Sequence, residues 1–355
     1  MRIKLIIAFL FIGSSLIAQQ RVQHSQYMLN GFLINPAVTG AENYIDIKAG
    51  YSHQWVGFDG GPKNHYISGH AALNPSIIDE PEVQAPKEVL TPPLSMRGRN
   101  HQEMVLTAPE EPQKLEEEDT LKLCQKIRHG VGGVVHNESM ASVINRGLQA
   151  SYALHIPIGK YKVSAGINLG FLNYEFNPDN IRLINADDIT FGVTQMNEYV
   201  ANVNIGAMVY NDQLFIGIAS NQLLGNKLEV LNEYSNLTAQ LNQHYYVNCG
   251  YRLHAMNNDL ELVPSLLVKY VKAAPIALDI NITGTYKKLL AMGLSYRHKD
   301  ALVVMTSLNI KDFITIGYAY DFTISSMANY STGTHGIVVG FRIPQLGVTT
   351  KRYYW

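Results

Sequence analysis

Lys162-Val163-Ser164-Ala165-Gly166-Ile167-Asn168-Leu169-Gly170-Phe171-Leu172 alternates without a break. Val163, Ala165, Ile167, Leu169 and Phe171 fall on one face, Ser164, Gly166, Asn168 and Gly170 on the other. A period of two is that of a strand with one apolar and one polar side. Residues 201–211 repeat it, setting Val203, Ile205, Ala207 and Val209 against Asn202, Asn204, Gly206 and Tyr210. In 243–255, Tyr245, Val247, Cys249, Tyr251 and Leu253 oppose His244, Asn248, Gly250 and Arg252. A soluble sandwich alternates too, so strand number and loop lengths must decide between the two.

Working outward, the pattern predicts fourteen strands: 42–54, 63–73, 129–138, 147–157, 161–174, 200–210, 213–219, 243–255, 260–270, 276–285, 289–297, 301–310, 313–321 and 334–343. Ile158-Gly159-Lys160, Asn211-Asp212, Met256-Asn257-Asn258-Asp259, Lys287-Lys288 and Lys311-Asp312 are short links. Between them lie generally longer ones: 175–199, 220–242, 271–275, 298–300 and 322–333. Short turns at one end and longer loops at the other, with an even strand count, are the pattern of an outer-membrane barrel. Strands of about ten tilted residues cross the apolar layer. The expected fold is therefore all-β, an antiparallel transmembrane β-barrel of about 14 strands.

Composition agrees. Of 355 residues, 46% are hydrophobic and only 16% charged, below the roughly one quarter usual in soluble domains. The apolar fraction excludes global disorder. After residue 18 no run of about 20 apolar residues remains for a spanning helix. Twenty-eight basic against 29 acidic side chains argue against nucleic acid as a partner. The 21 tyrosines suit aromatic girdles, where the ring meets lipid and the hydroxyl meets water. Tyr51, Tyr66, Tyr174, Tyr245, Tyr251, Tyr296, Tyr318 and Tyr320 lie at or near strand ends and are assigned there.

Arg2 and Lys4 precede an apolar run from Leu5 to Ile17 that ends at Ala18. That is the layout of a secretory signal peptide cleaved near Ala18, with export to the outer membrane as its consequence. Residues 19–41 follow as a candidate plug of the lumen, 42–343 as the barrel and 344–355 as an aromatic C-terminal tail. Fourteen strands lie between filled eight-stranded and open 16-stranded barrels, so the lumen is left as filled, plugged or open. Cys124 and Cys249 are too few for a disulfide scaffold. The two are expected on opposite sides of the strand pattern and unbridged.

One segment breaks the pattern. Residues 75–112 hold seven of the fourteen prolines, and 79–119 carry eleven acidic and four basic side chains, a net of −7. This predicts a disordered, acidic, proline-rich insertion over 75–127, between strands two and three. With a periplasmic N-terminus, that link is periplasmic.

Several blocks read together resemble one family. They include Gln26-Tyr27-Met28-Leu29-Asn30, Leu33-Ile34-Asn35-Pro36-Ala37 and His53-Gln54-Trp55-Val56-Gly57-Phe58-Asp59-Gly60-Gly61-Pro62-Lys63. Later come Pro264-Ser265-Leu266-Leu267-Val268-Lys269-Tyr270, Leu294-Ser295-Tyr296-Arg297, Ile316-Gly317-Tyr318-Ala319-Tyr320-Asp321 and Gly333-Thr334-His335-Gly336-Ile337. The chain resembles the PorP/SprF outer-membrane proteins of Bacteroidetes, linked to type IX secretion and gliding motility. Gly336 departs from the family pattern, which has Glu after the His. The resemblance covers about 20–343 without the insertion. It implies a barrel accessory to type IX secretion that binds or anchors a large secreted, adhesin-like surface protein through its type IX C-terminal domain. It also implies contact with periplasmic type IX components. The alternative is a passive outer-membrane channel for small or hydrophobic solutes.

Candidate partner-binding residues are Trp55, Phe58, Asp59 and Lys63 in the first extracellular link, and His335 near the start of the last strand. An aromatic held on a rigid turn is a good interface anchor, although the same block also suits a structural turn closing the mouth or a girdle tryptophan. No catalytic residues are expected, because there is no G-x-S-x-G motif or close Ser/His/Asp grouping. Twelve histidines form no H-x-H or H-x-x-x-H pair, so no metal or cofactor is expected.

Overall fold

A computed structural model describes residues 27–74, 127–177, 196–231, 236–256, 259–272 and 274–345. The expected signal peptide, nearly all of the expected 75–127 insertion, Cys124 and the expected C-terminal tail beyond 345 lie outside the described residues.

Strands β1 (Tyr44–His53), β2 (Lys63–Ala72), β3 (Arg128–Met140), β4 (Val143–Ile158), β5 (Tyr161–Phe176), β6 (Met196–Tyr210) and β7 (Leu214–Asn221) follow one another as antiparallel neighbours. A short hairpin, β8 (Lys227–Leu231) and β9 (Asn236–Gln240), forms a separate two-stranded sheet. The wall resumes with β10 (His244–Tyr251) and β11 (Leu253–Ala255), two pieces of one stave interrupted at Arg252. Next come β12 (Leu260–Val271), β13 (Ala277–Tyr286), β14 (Leu290–Arg297), β15 (Ala301–Ile310), β16 (Ile314–Thr323) and β17 (Thr334–Pro344). β1 pairs with β17 along its full length, Tyr44 opposite Pro344 and His53 opposite His335, so the ring closes at fourteen staves without an edge.

The expected alternation faces as assigned. Ile167, Leu169 and Phe171 are exposed on the outside, and Ser164 and Asn168 are buried on the inside. Both chain ends of the wall, Tyr44 and Pro344, lie at the rim carrying the short turns, which is the periplasmic rim. Two of those turns, Lys287-Lys288 and Lys311-Asp312, hold both residues at positive φ between 48° and 58°. That left-handed pair matches the twist of the flanking strands. Residues 139–146, left between the third and fourth expected strands, hold only a two-residue turn at Ala141-Ser142, because β3 and β4 extend to meet it.

Two of the girdle tyrosines need correction. Tyr66 and Tyr174 are buried and point into the lumen, Tyr66 in phase with Asn64 and Ser68, Tyr174 with its hydroxyl accepting from Gln222 Nε2 at 2.9 Å. Tyr245, Tyr251, Tyr296 and Tyr318 are exposed on the outer wall as expected.

Residues 27–43 run inside the barrel. They form two short 3₁₀ turns, Gly31–Leu33 and Pro36–Val38, and bury Phe32, Ala37, Val38 and Ala41 against Val134, Met208, Tyr210, Phe215 and Val263 of the wall. Met28 and Leu29 pack on Val303, Met305 and Ala319 across the lumen. Inward glycines, expected where a wall curves, serve a tighter purpose here. Gly166 and Gly206 pair across β5 and β6 directly beneath Asn35-Pro36. A Cβ at Gly166 would lie 2.4 Å from Pro36, and one at Gly206 2.0 Å from Asn35 Oδ1. Only glycine lets the segment lie this close to the wall.

Candidate functional site

The extracellular mouth is built on the link between β1 and β2. Trp55 sits at φ 54°, a left-handed conformation that a bulky residue keeps only when its surroundings hold it. The hold is visible. Gln54 N–H donates to Pro62 O at 2.7 Å, Phe58 N–H to Trp55 O at 2.9 Å and Gly61 N–H to Phe58 O at 3.1 Å. The loop is then tied to its neighbours. Val56 N–H donates to Gly333 O and Thr332 N–H to Val56 O, both at 2.8 Å, while Trp55 N–H reaches Thr334 Oγ1 at 3.3 Å. On the other side Ala141 N–H donates to Gly60 O at 2.9 Å. The loop is thus laced to the 324–333 link and to the β3–β4 turn.

On this frame Trp55 and Phe58 meet edge-to-face with centroids 6.4 Å apart. Phe58 is 42% exposed and Asp59 is exposed beside it. Trp55 also lines a mouth cavity of about 340 Å³ together with Arg297, Lys299, Asp300, Asp321 and Thr334. There Arg297 gathers three carboxylates: Asp300 and Asp321, each 3.2 Å from Nη1, and Asp279, 3.5 Å from Nε. Asp279, Asp321 and Arg297 are buried, so their attraction acts in a medium poorer in water than the surface.

The structure therefore brings together three of the five expected residues: Trp55, Phe58 and Asp59. Lys63 opens β2 on the outer wall, and His335 also faces outward, its Nδ1 2.7 Å from Tyr318 OH and its ring against Tyr320. His335 does not share the mouth, and Gly336 beside it points inward. The Arg297 cluster carried no signal of its own in the sequence, though two of its four members, Arg297 and Asp321, lie in the Tyr296-Arg297 and Tyr320-Asp321 blocks and alternate to the inner face.

Below the mouth, the lumenal segment is anchored by polar contacts all round. Asn30 Nδ2 donates to Ser68 Oγ at 2.9 Å, Arg128 Nη1 to Ala41 O at 2.8 Å and Asn35 Nδ2 to Ala207 O at 3.3 Å. Asn281 Nδ2 bonds Tyr27 OH from the far wall. His155 Nε2 lies 2.8 Å from Thr39 O, and a carbonyl only accepts, so the proton is on Nε2 and Nδ1 accepts from Tyr210 OH. Glu42, at the lower end of the segment, is fully buried. Burial and then the neighbouring Asp46 carboxylate hold its carboxyl well above the usual range.

Among the described residues no group of three or more His, Cys, Asp or Glu side chains is arranged to hold a metal ion. Cys249 is a free thiol, half-buried in the wall.

The family model described as type IX secretion system membrane protein PorP/SprF matches residues 16–78 and 114–341. A comparison with curated proteins finds no match. Among solved structures, the chain is similar to the CymD monoaromatic hydrocarbon channel at 9% identity and TM-score 0.48, covering 94% of this chain and 96% of that one. It is similar to the toluene transporter TodX of Pseudomonas putida at 9% identity and TM-score 0.44, with the same coverage. The outer membrane protein Omp33 of Acinetobacter baumannii follows at 10% identity and TM-score 0.42, with 86% and 100% covered.

Proposed function

The chain belongs to the PorP/SprF family of type IX secretion system membrane proteins, and on that premise we propose that this outer-membrane barrel acts as an accessory docking protein. In this reading it holds a large secreted surface protein, through that protein's C-terminal domain, against the Trp55–Phe58–Asp59 loop. It is not an enzyme and does not conduct solutes.

The observation that carries the proposal is the lumenal segment. Residues 27–43 are tied by side-chain hydrogen bonds to β2, β3, β4, β6 and β13. A passive channel needs a continuous wet bore, and a segment bonded to both sides of the lumen works against one. The exposed Phe58 on a laced, rigid loop favours docking, since aromatic anchors on pre-organised turns lose little entropy on binding.

Contact with the periplasmic machinery is assigned to the acidic insertion. β2 ends at Ala72 and β3 begins at Arg128, so the wall breaks off and resumes at the rim assigned to the periplasm. Deleting 79–119 is expected to keep the heat-modifiable migration of the barrel and weaken its co-purification with periplasmic components.

The test of the main proposal is a pair of measurements on the tagged protein. In planar bilayers it should pass no large steady current, and affinity purification from secreting cells should enrich one large secreted protein, lost on Phe58→Ala. Large open-channel currents with no enriched partner would favour the solute channel instead.

A further inference from the structure

The outer wall of β1–β6 carries a feature that neither docking at the mouth nor closure of the lumen uses. Hydrogen-bonded register aligns Ala49, Ile67, Val135, Leu148 and Phe171 in one outward row across five strands. The next outward row toward the extracellular rim is of another kind: His65, Asn137, Arg146, Asn173 and Tyr199. The boundary between hydrocarbon and headgroup therefore passes between two adjacent rows.

At this boundary the wall is hollow. A groove of about 800 Å³ lies over Ala49, with Ile67, Leu148 and Phe171 standing 61–64% exposed and Tyr199 76% exposed around it. That volume is in the range of ligand sites. The groove opens onto the lipid-facing wall, so what fills it comes from the membrane. Its polar margin is at the extracellular rim, so the leaflet is the outer one.

The margin also states the headgroup chemistry. Arg146 Nη1 contacts Glu175 Oε2 at 2.7 Å and Asn173 Oδ1 at 3.4 Å, leaving the guanidinium half-exposed beside His65 and Asn137. Lys63 and His53 follow in the next row. Cations and amide donors above an apolar hollow match an acyl chain below a phosphate, and a guanidinium binds phosphate in bidentate fashion.

The geometry points to a specific site for one outer-leaflet lipopolysaccharide molecule, an acyl chain of its lipid moiety in the groove and a glucosamine phosphate on Arg146. The site is independent of the proposed docking role at the mouth.

Native mass spectrometry of the detergent-purified full chain tests it, with lipid A as probe and dephosphorylated lipid A and phosphatidylethanolamine as comparisons. One lipid A per barrel is expected to persist. Ala49→Trp, which fills the hollow, should lower the bound fraction at least about tenfold, while Ile282→Trp on the far wall should leave it unchanged. Arg146→Gln should weaken lipid A by about tenfold, the value of one charge-assisted pair, and leave the dephosphorylated probe unaffected. Heat-modifiable migration checks that each variant is folded. Equal binding by Ala49→Trp, or phosphatidylethanolamine retained as well as lipid A, would overturn the site. Equal weakening of both lipid A forms by Arg146→Gln would overturn the phosphate assignment.

Discussion

Gly206→Val drives a side chain into the place where the lumenal segment touches the wall. Its Cβ would start 2.0 Å from Asn35 Oδ1 and 3.1 Å from Pro36 Cδ, so the first contact must lengthen by about 1.4 Å to reach ordinary van der Waals separation. The wall is locked by β5 and β7 on either side, and Asn35 Oδ1 accepts from Ala37 N–H at 2.9 Å, so the Asn35 side chain and the turn it caps are what yield. Moving them breaks the bond from Asn35 Nδ2 to Ala207 O. Overpacking costs about 1–3 kcal/mol, and stranding a buried amide adds about 1–2 kcal/mol. The segment's docking then weakens by roughly 2–5 kcal/mol, a factor of about 30 to several thousand. The assay is single-channel recording in planar bilayers, paired with limited proteolysis of the N-terminal segment. Wild type should remain closed and protected. Gly206→Val should show discrete openings and cleavage before residue 44, with the barrel still heat-modifiable. A quiet, protected Gly206→Val would mean that the segment does not close the lumen.

Other outcomes follow from the same structure. Ile167 and Ile205 pair on the outer face, and Arg at either should destabilise the barrel by about 2–4 kcal/mol in urea titrations in lipid vesicles, against about 0–1 for Asn137→Arg at the interface; equal losses at all three would argue against the assigned lipid boundary. Arg297→Met strands Asp279 and Asp321 and should lower stability by about 3–5 kcal/mol, part of it restored by adding Asp321→Asn; a neutral Arg297→Met would show the cluster to be water-filled. Burial and Asp46 raise the Glu42 carboxyl from its ordinary 4.5 to about 8, so the folded protein holds that proton more tightly than the unfolded chain. Its stabilising effect is complete below about pH 4.5 and disappears as pH rises through about 8. Urea midpoints should fall over that window, and Glu42→Gln should flatten the fall; an unchanged slope assigns it to another group.

The wall was legible because a barrel writes its two faces into the sequence at a period of two. Ile167 and Asn168 could be assigned to lipid and lumen from neighbouring residues alone. The misplaced tyrosines show the limit of a cruder cue. Tyr66 and Tyr174 were given to the girdles for lying near strand ends, whereas their phase with Asn64 and Leu172 already put them inside. The ends of β3 and β4 were misread because Asn137, Ser139, Asn145 and Arg146 are polar on both faces, as a wall rising out of the membrane can be. The mouth was partly legible, since the glycines and proline around Trp55 and Phe58 announce a turn. The Arg297 cluster was not, because Asp279 and Asp321 come from β13 and β16 and Asp300 from the link after β14, and only the pairing of β13 to β16 brings them together. The contact of Asn35-Pro36 with Gly166 and Gly206 likewise spans 130 residues or more and leaves no local trace beyond two unexplained inward glycines.

The central claim is that the mouth loop, not the bore, is the working surface. Site-specific photo-crosslinking in secreting cells tests it most directly, with a photoreactive phenylalanine at Phe58 and, as control, at Leu294 on the lipid-facing wall. The account predicts that Phe58 gives one dominant adduct with a large secreted protein carrying a type IX C-terminal domain, and that Leu294 gives only lipid adducts. The same lipid-only result at both positions, in cells that secrete normally, would contradict it.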